Sequence, residues 1–438
     1  MNNLLSSEAL IPSFVQNNQL YKSRMKYYLL QDLCTDIIDC PHSTPEWKTE
    51  GIRVIRNFNL KNGNIDFTDG YYVDEETYKE RVKRALPEAE DIIISREAPM
   101  GVVGMVPKNL KCCLGQRLVL LKIDKTKCNP YYLLFVLMSD FVQTQFKRAD
   151  KTGSIVSNLC IPDLKEIIIP MIEDGQDLMA EFLKSLNNKI LLNNKINDNL
   201  ENQIQTIYDY WFSQFDFPDS KGNPYKSNNG QLKWNDTIKC DIPTNWSVGS
   251  VAKNTLTQFI KPGVDKFELK TYLATADVKG STISEGTTID YDNRESRANM
   301  QPTEYSVWFA KMKNSIKHLY LNPEMKPIIE ESILSTGFCG LQCDETSFEY
   351  ISSYIASPYF ELHKDMLAHG ATQEAVNNDD LAGIHLLIPD EKTLKAYHTT
   401  TQPLYSQIAK NICENKELTR LRDWLLPMLM NGQATIED

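Results

Sequence analysis

Two kinds of hydrophobic pattern alternate along the chain, and each kind occurs twice. Short β-branched runs, separated by glycine, asparagine and proline, fill a region that closes at Pro170, and a long stretch with helical spacing follows. The same succession returns in the second half, where the strand-like region closes at Pro389. The two prolines are 219 positions apart in a chain of 438 residues. The pattern predicts an internal repeat, in which each copy is a globular region followed by a long helix.

The strand-like runs of the first copy are the easier ones to assign. They lie at residues 52–55, 91–94, 101–106 and 117–121, and a helical stretch follows at residues 130–146. In the second copy, similar runs occur at residues 271–274 and 305–310, with a helix near residues 347–367. Short strands joined by turns, mixed with a few helices, are typical of an α+β domain.

Heptad spacing in the two long stretches predicts that they pair with each other. In the first stretch both rows of a coiled-coil seam can be filled. The rows are Leu183, Ile190, Asn197, Ile204 and Trp211, with Leu186, Asn193, Leu200 and Ile207 beside them. In the second stretch one row is clear and its companion is weaker. The clear row is Leu404, Asn411, Leu418 and Leu425, and the companion is Gln407, Glu414 and Leu421.

Asn197 and Asn411 occupy matching seam positions in the two copies. An asparagine in an apolar seam lowers stability but fixes the register, because an unpaired buried amide is unfavourable. We therefore expect the two asparagines to set the alignment of the helical pair. The alternative is two ordinary amphipathic helices on separate cores. A connector rich in glycine, proline and asparagine, residues 216–245, returns the chain to the start of the second copy, so we expect an antiparallel pair.

These patterns predict an α+β protein in which two pseudo-repeated globular domains are separated by two long helices that form an antiparallel coiled coil. We call residues 27–170 the first head and residues 246–390 the second head. The other segments are an N-terminal extension at residues 1–26, a spacer helix at 171–215, a linker at 216–245, and a second spacer helix with the C-terminus at 391–438.

Composition limits the class of protein. The chain has 42% hydrophobic and 24% charged residues, which is ordinary for a globular protein, and the N-terminus lacks the pattern of a secretory signal. No apolar run is long enough to span a membrane. The ten cysteines follow no metal or disulfide spacing, so we expect reduced thiols in a cytoplasmic protein. The net charge of -11 is unusual for a protein that binds nucleic acid unless a basic partner shares the binding or basic groups are concentrated in a local groove.

Several motifs of the first half occur in an order that resembles the specificity (S) subunit of type I restriction-modification enzymes. They are Asp39-Cys40-Pro41-His42, Glu50-Gly51-Ile52-Arg53, Ser95-Arg96-Glu97-Ala98-Pro99-Met100-Gly101, Leu114-Gly115-Gln116-Arg117 and Ile167-Ile168-Ile169-Pro170. The segment Tyr210-Trp211-Phe212-Ser213-Gln214-Phe215-Asp216-Phe217-Pro218 and the ending Asp423-Trp424-Leu425-Leu426-Pro427 also resemble that family's helix ends. The chain departs from the family pattern at Cys40, where we expect glycine, and in its acidic second head.

The resemblance implies a non-catalytic subunit that reads a bipartite site on double-stranded DNA, in which each head is a target-recognition domain for one half-site. It also implies partners: two methyltransferase subunits docked on the helices, and restriction (motor) subunits. The chain itself would bind no cofactor, while S-adenosylmethionine, ATP and Mg would belong to the partner subunits. The alternatives are a stand-alone adenine-N6 DNA methyltransferase and a bipartite DNA-binding scaffold without a restriction role.

Side-chain chemistry selects candidates for DNA contact within the heads. The planar fork of arginine fits guanine, and the amide of asparagine or glutamine fits adenine. The first-head candidates are Arg53, Arg56, Asn57, Arg96, Gln116, Arg117, Lys151, Thr152 and Ser154. The second-head candidates are Lys279, Arg294, Arg297, Lys311, Lys313, Thr372 and Gln373. For each of these side chains a solvated surface position is the alternative.

Signals for catalysis are weak. The sequence Asn129-Pro130-Tyr131-Tyr132 resembles the Asn-Pro-Pro-Tyr motif of adenine-N6 methyltransferases, but the second proline is missing. An apolar helix follows at once, so a helix N-terminus with proline in its first turn is the better interpretation. The histidines form no His-Glu-x-x-His motif, and no phosphate-binding loop of the Gly-Lys-Ser/Thr type occurs. We therefore expect no catalytic or metal site.

Overall fold

The computed structural model describes residues 25–67, 70–97, 99–149, 158–172, 174–280, 282–284, 286–371 and 373–430. The chain forms two compact units, one of residues 1–188 with 419–438 and the other of residues 189–418. Each unit contains one of the two heads and a part of each long helix. The fold class expected from the sequence, an α+β protein with two repeated recognition domains and a pair of long helices, is confirmed.

The first unit is built on short strands followed by one buried helix and one amphipathic helix. Its strands are β1 (Met25–Leu29), β2 (Cys34–Asp39), β3 (Ile52–Ile55), β4 (Leu60–Lys61), β5 (Asn64–Ile65), β6 (Tyr71–Val73), β7 (Ile92–Ser95), β8 (Val103–Met105), β9 (Cys112–Leu114), β10 (Leu118–Ile123) and β11 (Ile168–Ile172). Its helices are α1 (Glu75–Arg81), α2 (Pro130–Met138), α3 (Asp140–Ala149), α4 (Ile161–Lys165) and the first part of α5 (Gln176–Tyr208). Short 3-10 turns lie at Leu30–Leu33 and Asn57–Asn59.

The second unit repeats this plan. Its strands are β12 (Leu232–Asn235), β13 (Cys240–Pro243), β14 (Ser247–Ser250), β15 (Thr257–Phe259), β16 (Lys270–Leu273), β17 (Val278–Lys279), β18 (Thr282–Ile283), β19 (Thr287–Ile289), β20 (Ala298–Met300), β21 (Ser306–Ala310), β22 (His318–Leu321), β23 (Ser332–Ser335), β24 (Phe338–Cys343) and β25 (His385–Ile388). Its helices are α6 (Lys326–Glu331), α7 (Phe348–Ala356), α8 (Pro358–Leu367) and the first part of α9 (Glu391–Met430). Shorter turns lie at Thr275–Asp277, Pro323–Met325 and Asp380–Gly383, and a π-helical turn at Asp209–Ser213.

Sheet topology shows that the two heads are copies of one fold. A four-stranded sheet has the order β2-β10-β7-β8 in the first head and β15-β24-β21-β22 in the second. A second sheet has the order β6-β3-β9 in the first head and β19-β16-β23-β20 in the second, and both contain one parallel pair, β3 with β9 and β16 with β23. The strand that opens each head pairs with the strand that closes it, β1 with β11 and β14 with β25.

Three local expectations need correction. The helical stretch at residues 130–146 is two helices, α2 and α3, because Ser139 has extended backbone angles between them. The stretch at residues 347–367 is likewise divided into α7 and α8, at Pro358, which cannot continue a helix from the preceding turn. The connector at residues 216–245 is not only loop, since β12 and β13 form an antiparallel hairpin within it.

In the first unit, α5 and α9 meet through apolar side chains. Met179, Ala180 and Leu183 of α5 are buried in the main core, and Leu426 of α9 lies in the same cluster. Leu425 packs against this cluster and is partly buried. Burying one leucine side chain contributes about 1.5–3 kcal/mol, so this end of the pair is held mainly by the hydrophobic effect.

In the second unit, the two helices meet through asparagines and then through apolar residues. The Asn411 amide donates a hydrogen bond to Asn197 Oδ1 at 2.7 Å, and both residues are buried. Four residues earlier on α5, Asn193 donates to Asn415 Oδ1 at 2.9 Å. Residue numbers therefore decrease along α5 where they increase along α9, which makes the pair antiparallel. Beyond the asparagines, Ile204 is buried with Tyr405 and Ile408.

The companion row that the sequence assigned to α9 is displaced by one residue. Leu421 is 39% exposed and Gln407 is exposed. Glu414 is also exposed, but its carboxylate accepts a hydrogen bond from Asn193 of α5 at 2.7 Å. The inward-facing residues of this row are Ile408, Asn415 and Arg422. The remaining members of the predicted seam, Leu186, Ile190, Leu200, Ile207, Leu404 and Leu418, are half-buried.

We predict that Asn197 and Asn411 are energetically coupled. Replacing Asn197 with leucine leaves the buried Asn411 amide without its acceptor, so the free energy of unfolding should fall by about 1–3 kcal/mol. The double variant N197L/N411L removes both polar groups and should recover most of that loss, since two leucines suit an apolar seam. Urea unfolding followed by circular dichroism measures each value.

The control for this cycle is Asn202→Ala, which changes an exposed asparagine of the same helix. It should shift the free energy of unfolding by no more than about 0.5 kcal/mol. If the two single losses simply added in the double variant, the amides would be independent and the register would be set elsewhere.

Candidate DNA interface

The turn before one central strand lies at the same place in both heads and gathers many of the candidate residues. In the first head, Gln116 and Arg117 precede β10, and the Arg96 N–H donates to Arg117 O at 2.8 Å. In the second head, Thr336 and Gly337 precede β24, and the Lys311 N–H donates to Gly337 O at 3.0 Å. The two heads thus present different side chains at equivalent turns, and only Arg117 has a left-handed φ there.

A pocket of about 180 Å³ opens beside this turn in the first head. It joins four of the residues that the sequence selected for DNA contact. Its lining consists of Thr44, Pro45, Trp47, Arg56, Asn57, Gln116 and Arg117. Two guanidinium groups and two amides around one opening make a polar, positively charged site, which we call the arginine pocket.

Aromatic rings hold Arg56 in the arginine pocket. Its guanidinium carbon lies 4.7 Å from the ring centre of Tyr71, 5.2 Å from Phe58 and 5.5 Å from Trp47. Such contacts contribute about 0.5–2 kcal/mol each, and arginine also stacks well on ring faces. No carboxylate is paired with Arg56 among the residues that the structure describes. The cage therefore restricts the side chain without neutralising its charge.

Arg117 has a backbone conformation that is unusual for an arginine. Its φ is +66°, in the left-handed region that favours glycine. Its side chain is half-exposed, and its Nε lies 3.0 Å from Glu97 Oε2. Residues held in such a region cluster at functional sites, where the surrounding structure imposes the geometry. The orientation of the Arg117 side chain is therefore set by the turn and not by a regular strand.

The wall of the arginine pocket is braced from behind. Gln116 Nε2 donates to the carbonyl of His42, which fixes that amide against the loop preceding Thr44. The buried Arg81 donates from Nε and Nη2 to Leu114 O, at 3.0 and 2.8 Å, and from Nη1 to Ser43 O at 3.0 Å. Arg81 therefore ties together the two segments between which the pocket opens.

Two first-head candidates are used inside the protein instead. Arg53 lies between the rings of Phe67 and Tyr72, and its terminal nitrogens donate to Phe67 O at 3.1 Å and to Tyr72 Oη at 2.9 Å. The Arg96 guanidinium contacts both carboxylate oxygens of Asp39, at 2.9 and 3.0 Å, and donates to Leu159 O at 2.9 Å. Their donors serve the fold. Lys151, Thr152 and Ser154 lie outside the described residues.

The second head brings several of its candidates to the equivalent turn. The Thr336 N–H donates to Arg297 O at 2.9 Å, which adds Arg297 to the Lys311 contact already described. The hairpin that carries Lys279 reaches the same edge, because the His318 N–H donates to Gly280 O at 2.9 Å. Arg297 and Lys279 have exposed side chains.

Other second-head candidates are spread more widely. Lys313 pairs with Glu374 at 2.7 Å, and Arg294 stacks on the Tyr291 ring at 3.9 Å. Gln373 is exposed, and Thr372 lies outside the described residues.

Some residues of the candidate interface cannot be recognised from their residue type, because their role depends on tertiary contacts. Trp47, Phe58 and Tyr71 form the cage of Arg56, and Lys317 donates to Thr275 O at the equivalent place in the second head. Lys317 could have been found from the cluster Lys311, Lys313 and Lys317 in one short loop. The aromatic cage gives no signal in the linear sequence.

The motif that resembles a methyltransferase loop caps a helix. Asn129 Oδ1 accepts hydrogen bonds from the N–H groups of Tyr131 and Tyr132, at 2.9 and 3.3 Å, and Pro130 occupies the first turn of α2. Cys40 also fits its position, since its buried sulfur accepts from the Leu118 N–H at 3.2 Å.

The ten cysteines are all free, and burial raises the pKa of Cys112 to about 12 and that of Cys113 to about 11. Among the described residues, no group of histidine, cysteine and carboxylate side chains has the geometry of a metal site. No helix within those residues is long and apolar enough to cross a membrane.

Comparison with known proteins gives a consistent result. Residues 27–202 match the family model of the type I restriction modification DNA specificity domain. The type I restriction enzyme MjaIX specificity subunit of Methanocaldococcus jannaschii is 24% identical over 381 residues, which are 84% of this chain and 82% of that protein. The putative type I restriction enzyme MjaX specificity subunit of the same organism is 20% identical over 411 residues, 88% of each chain.

One solved structure that the chain resembles is the S subunit of a type I restriction-modification system from M. genitalium. It is 14% identical, covers 92% of this chain and 96% of that chain, and gives a TM-score of 0.47.

We predict that Arg96 stabilises the first head. Arg96→Ala removes the partner of Asp39 and the donor to Leu159 O, so the free energy of unfolding should fall by about 2–4 kcal/mol. Thermal and urea unfolding measure the loss. Arg84→Ala, which removes one exposed arginine from the same head, is the control and should change stability little. Unchanged stability in the Arg96 variant would contradict the structural role.

Proposed function

The chain belongs to the DNA specificity subunits of type I restriction-modification systems, and on this premise we propose that it reads a bipartite DNA site with one head for each half. The observation that carries the proposal is the repeated frame with two different sets of side chains at its turn. In the first head Arg56, Asn57, Gln116 and Arg117 line one pocket, whereas in the second head the turn is Thr336-Gly337 and hydrogen-bonds the backbone of Arg297 and Lys311. Two heads that share a fold but carry different side chains are suited to a DNA site with two different half-site sequences.

The helical pair would set the number of unspecified base pairs between the halves. Its register is fixed by side-chain contacts, above all by the Asn197–Asn411 hydrogen bond, rather than by length alone. A register fixed in this way suits a spacer, because a pair that could slide would not define one spacing.

Specificity subunits of this family are non-catalytic in general, and we propose that two methyltransferase subunits and restriction subunits supply the chemistry. S-adenosylmethionine would bind to the methyltransferases, and ATP with Mg to the restriction subunits. The stand-alone methyltransferase alternative loses support from Asn129, whose amide oxygen already accepts the two N–H groups that open α2. The scaffold alternative differs only in its partners, so co-purification decides it.

Two exposed aromatic side chains are suitable docking points for two copies of one partner. Tyr210, just beyond α5, is 39% exposed, and Trp424 of α9 is 60% exposed. They are 214 positions apart, the same separation as Asn197 and Asn411, so they occupy equivalent positions in the repeat. Exposed tyrosine and tryptophan are enriched among the residues that dominate protein–protein binding energy. Equivalent positions predict equivalent partners.

We predict that lengthening both helices shifts the spacing of the DNA site. Seven residues inserted into α5 after Asn197, together with seven inserted before Asn411 in α9, would preserve the heptad phase and add about 10 Å of helix. That length corresponds to roughly three base-pair steps of B-DNA, so recognition should move to a spacer about three base pairs longer. Methylome sequencing of cells that carry the complete system measures the motif.

The half-site sequences should stay the same in that experiment. A four-residue insertion at the same two positions is the control, because it breaks the heptad phase and should reduce methylation at every spacing. Changed half-sites with an unchanged gap would contradict the spacer role.

We predict that each exposed aromatic side chain docks one methyltransferase subunit. Tyr210→Ala and Trp424→Ala should each weaken one docking site by about 30-fold or more, the effect of a dominant interface residue. Native mass spectrometry of the co-expressed complex should then show loss of one methyltransferase from each single variant and of both from the double variant. Trp234→Ala, which removes a tryptophan that is 58% exposed on β12, should keep both. Retention of both subunits by the double variant would contradict this assignment.

A further inference from the structure

We propose that the arginine pocket reads one guanine of a G·C base pair in the half-site of the first head, with Arg117 as the base-reading side chain and Arg56 as a fixed neighbouring cation. This inference rests on the proposed function and adds to it the identity of a base and the residue that selects it. Three observations support it: the geometry of Arg117, the amides beside it, and the contrast with the second head.

Arg117 can present a guanidinium fork to the outside. The contact with Glu97 uses the Nε side of the guanidinium, at 3.0 Å. The two terminal nitrogens form no hydrogen bond with other described residues, and the side chain is half-exposed. A guanidinium fork matches the O6 and N7 acceptors of guanine in the major groove, which is the commonest specific contact between proteins and DNA. The ion pair orients the fork before DNA arrives.

Arg56 raises the positive potential of the pocket at a low entropic cost. A free arginine loses roughly 2 kcal/mol of side-chain entropy when it becomes ordered. In the first head the rings of Trp47, Phe58 and Tyr71 already restrict Arg56, so much of that loss occurs on folding rather than on binding. A preorganised cation next to the fork strengthens the attraction for the electronegative edge of guanine.

The amides favour a base over a phosphate as the occupant. Asn57 and Gln116 line the pocket with the arginines, and Gln116 is held through its Nε2 by the His42 carbonyl. That contact leaves the acceptor oxygen of the amide as the group available to DNA. A carbonyl oxygen repels a phosphate, but it can accept a hydrogen bond from the N4 amino group of cytosine. The guanidinium donors of Arg117 suit guanine, and the amide oxygen of Gln116 suits the amino group of cytosine, so together they match a G·C pair.

The second head shows the same frame without this chemistry. The positions equivalent to Arg56, Asn57, Gln116 and Arg117 are Ala274, Thr275, Thr336 and Gly337. A side chain built on Gly337 would meet Thr275 Cγ2 at 2.9 Å, so the space that is open in the first head is filled there. The shared sheet order does not require the arginines, since the second head has it without them. The turn itself differs, because Gly337 lacks the left-handed φ that Arg117 adopts. The presence of the arginines in the first head therefore points to a ligand.

The test replaces Arg117 with glycine, the residue that the second head has at the equivalent turn. Glycine adopts a φ of +66° without strain, so Arg117→Gly removes the side chain and keeps the backbone. We expect methylome sequencing of cells with the complete system to show one G·C position of the first half-site relaxed to any base, with the second half-site unchanged. Exchange of residues 27–170 for those of a relative identifies which half-site the first head reads.

Binding of the purified complex to four duplexes that differ at that position gives the magnitude. The wild-type complex should prefer the G·C duplex by about 5- to 150-fold, the range of one bidentate contact, and Arg117→Gly should reduce this ratio to about one. Arg84→Ala removes an exposed arginine of the same head outside the pocket and should keep both the ratio and the motif.

Several results would overturn the inference. If Arg117→Gly lowered binding equally for all four duplexes, the pocket would hold a phosphate, and if it changed nothing, the pocket would have no role in recognition. Relaxation at an A·T position would refute the guanine assignment. Each of these results presupposes a wild-type bipartite motif, whereas absence of any such motif in the wild type would refute the proposed function itself.

Discussion

The hydrogen bond between Asn197 and Asn411 is the constraint on which the arrangement of the repeat depends. The two asparagines are counterparts in the two copies, and they also contact each other across the seam. In an antiparallel pair, equivalent residues of the two copies can lie opposite each other at only one point. With each residue away from that point, the two equivalent positions move one further residue in opposite directions, and so become two positions more distant. Asn193 pairs with Asn415 on one side, and Ile204 packs with Tyr405 on the other. A slip of one heptad would bury these amides against isoleucine and leucine, which is strongly unfavourable.

Much of the fold could be predicted because repetition and periodicity are written in the linear sequence. Two closing prolines, two heptad stretches and a breaker-rich connector are sufficient for two heads and a pair of helices. The displaced companion row of α9 shows where this reasoning stops. The seven-residue spacing from Leu421 predicts an inward row of Gln407 and Glu414, but Ile408 and Arg422 are the buried residues, and Glu414 reaches Asn193 only from the edge of the pair. Polar residues in both rows make the two alternatives hard to separate without the partner helix. The division of α2 from α3 at Ser139 was equally hidden, since the apolar pattern continues through it.

The candidate interface was predictable in its residue types but not in its geometry. Arginine, asparagine and glutamine near strand ends are a reasonable set, and Arg56, Asn57, Gln116 and Arg117 do converge on one pocket. Arg53 and Arg96 have the same chemistry and similar positions in the sequence, yet their donors are used by Tyr72 and Asp39. What separates the two groups is the aromatic and acidic surroundings that the fold brings from distant segments. Local sequence does not contain this information, because the ring of Trp47 and the carboxylate of Asp39 reach these arginines through tertiary contacts.

The acidic balance of the chain fits this distribution of positive groups. Many cations are neutralised within the heads, as with Arg96 and Asp39, Lys122 and Asp91, and Lys313 and Glu374. An acidic surface weakens non-specific attraction to the phosphate backbone, which otherwise supplies most of the affinity for arbitrary DNA. Under the proposed function, recognition would then depend on the few arginines and lysines near the turns before β10 and β24. For a subunit whose role is to distinguish sequences, a small attraction to all DNA and a large one to a single arrangement of bases is favourable, because specificity is a difference between the two. A net charge of -11 is therefore compatible with DNA reading when the positive charge is concentrated where base edges meet the protein.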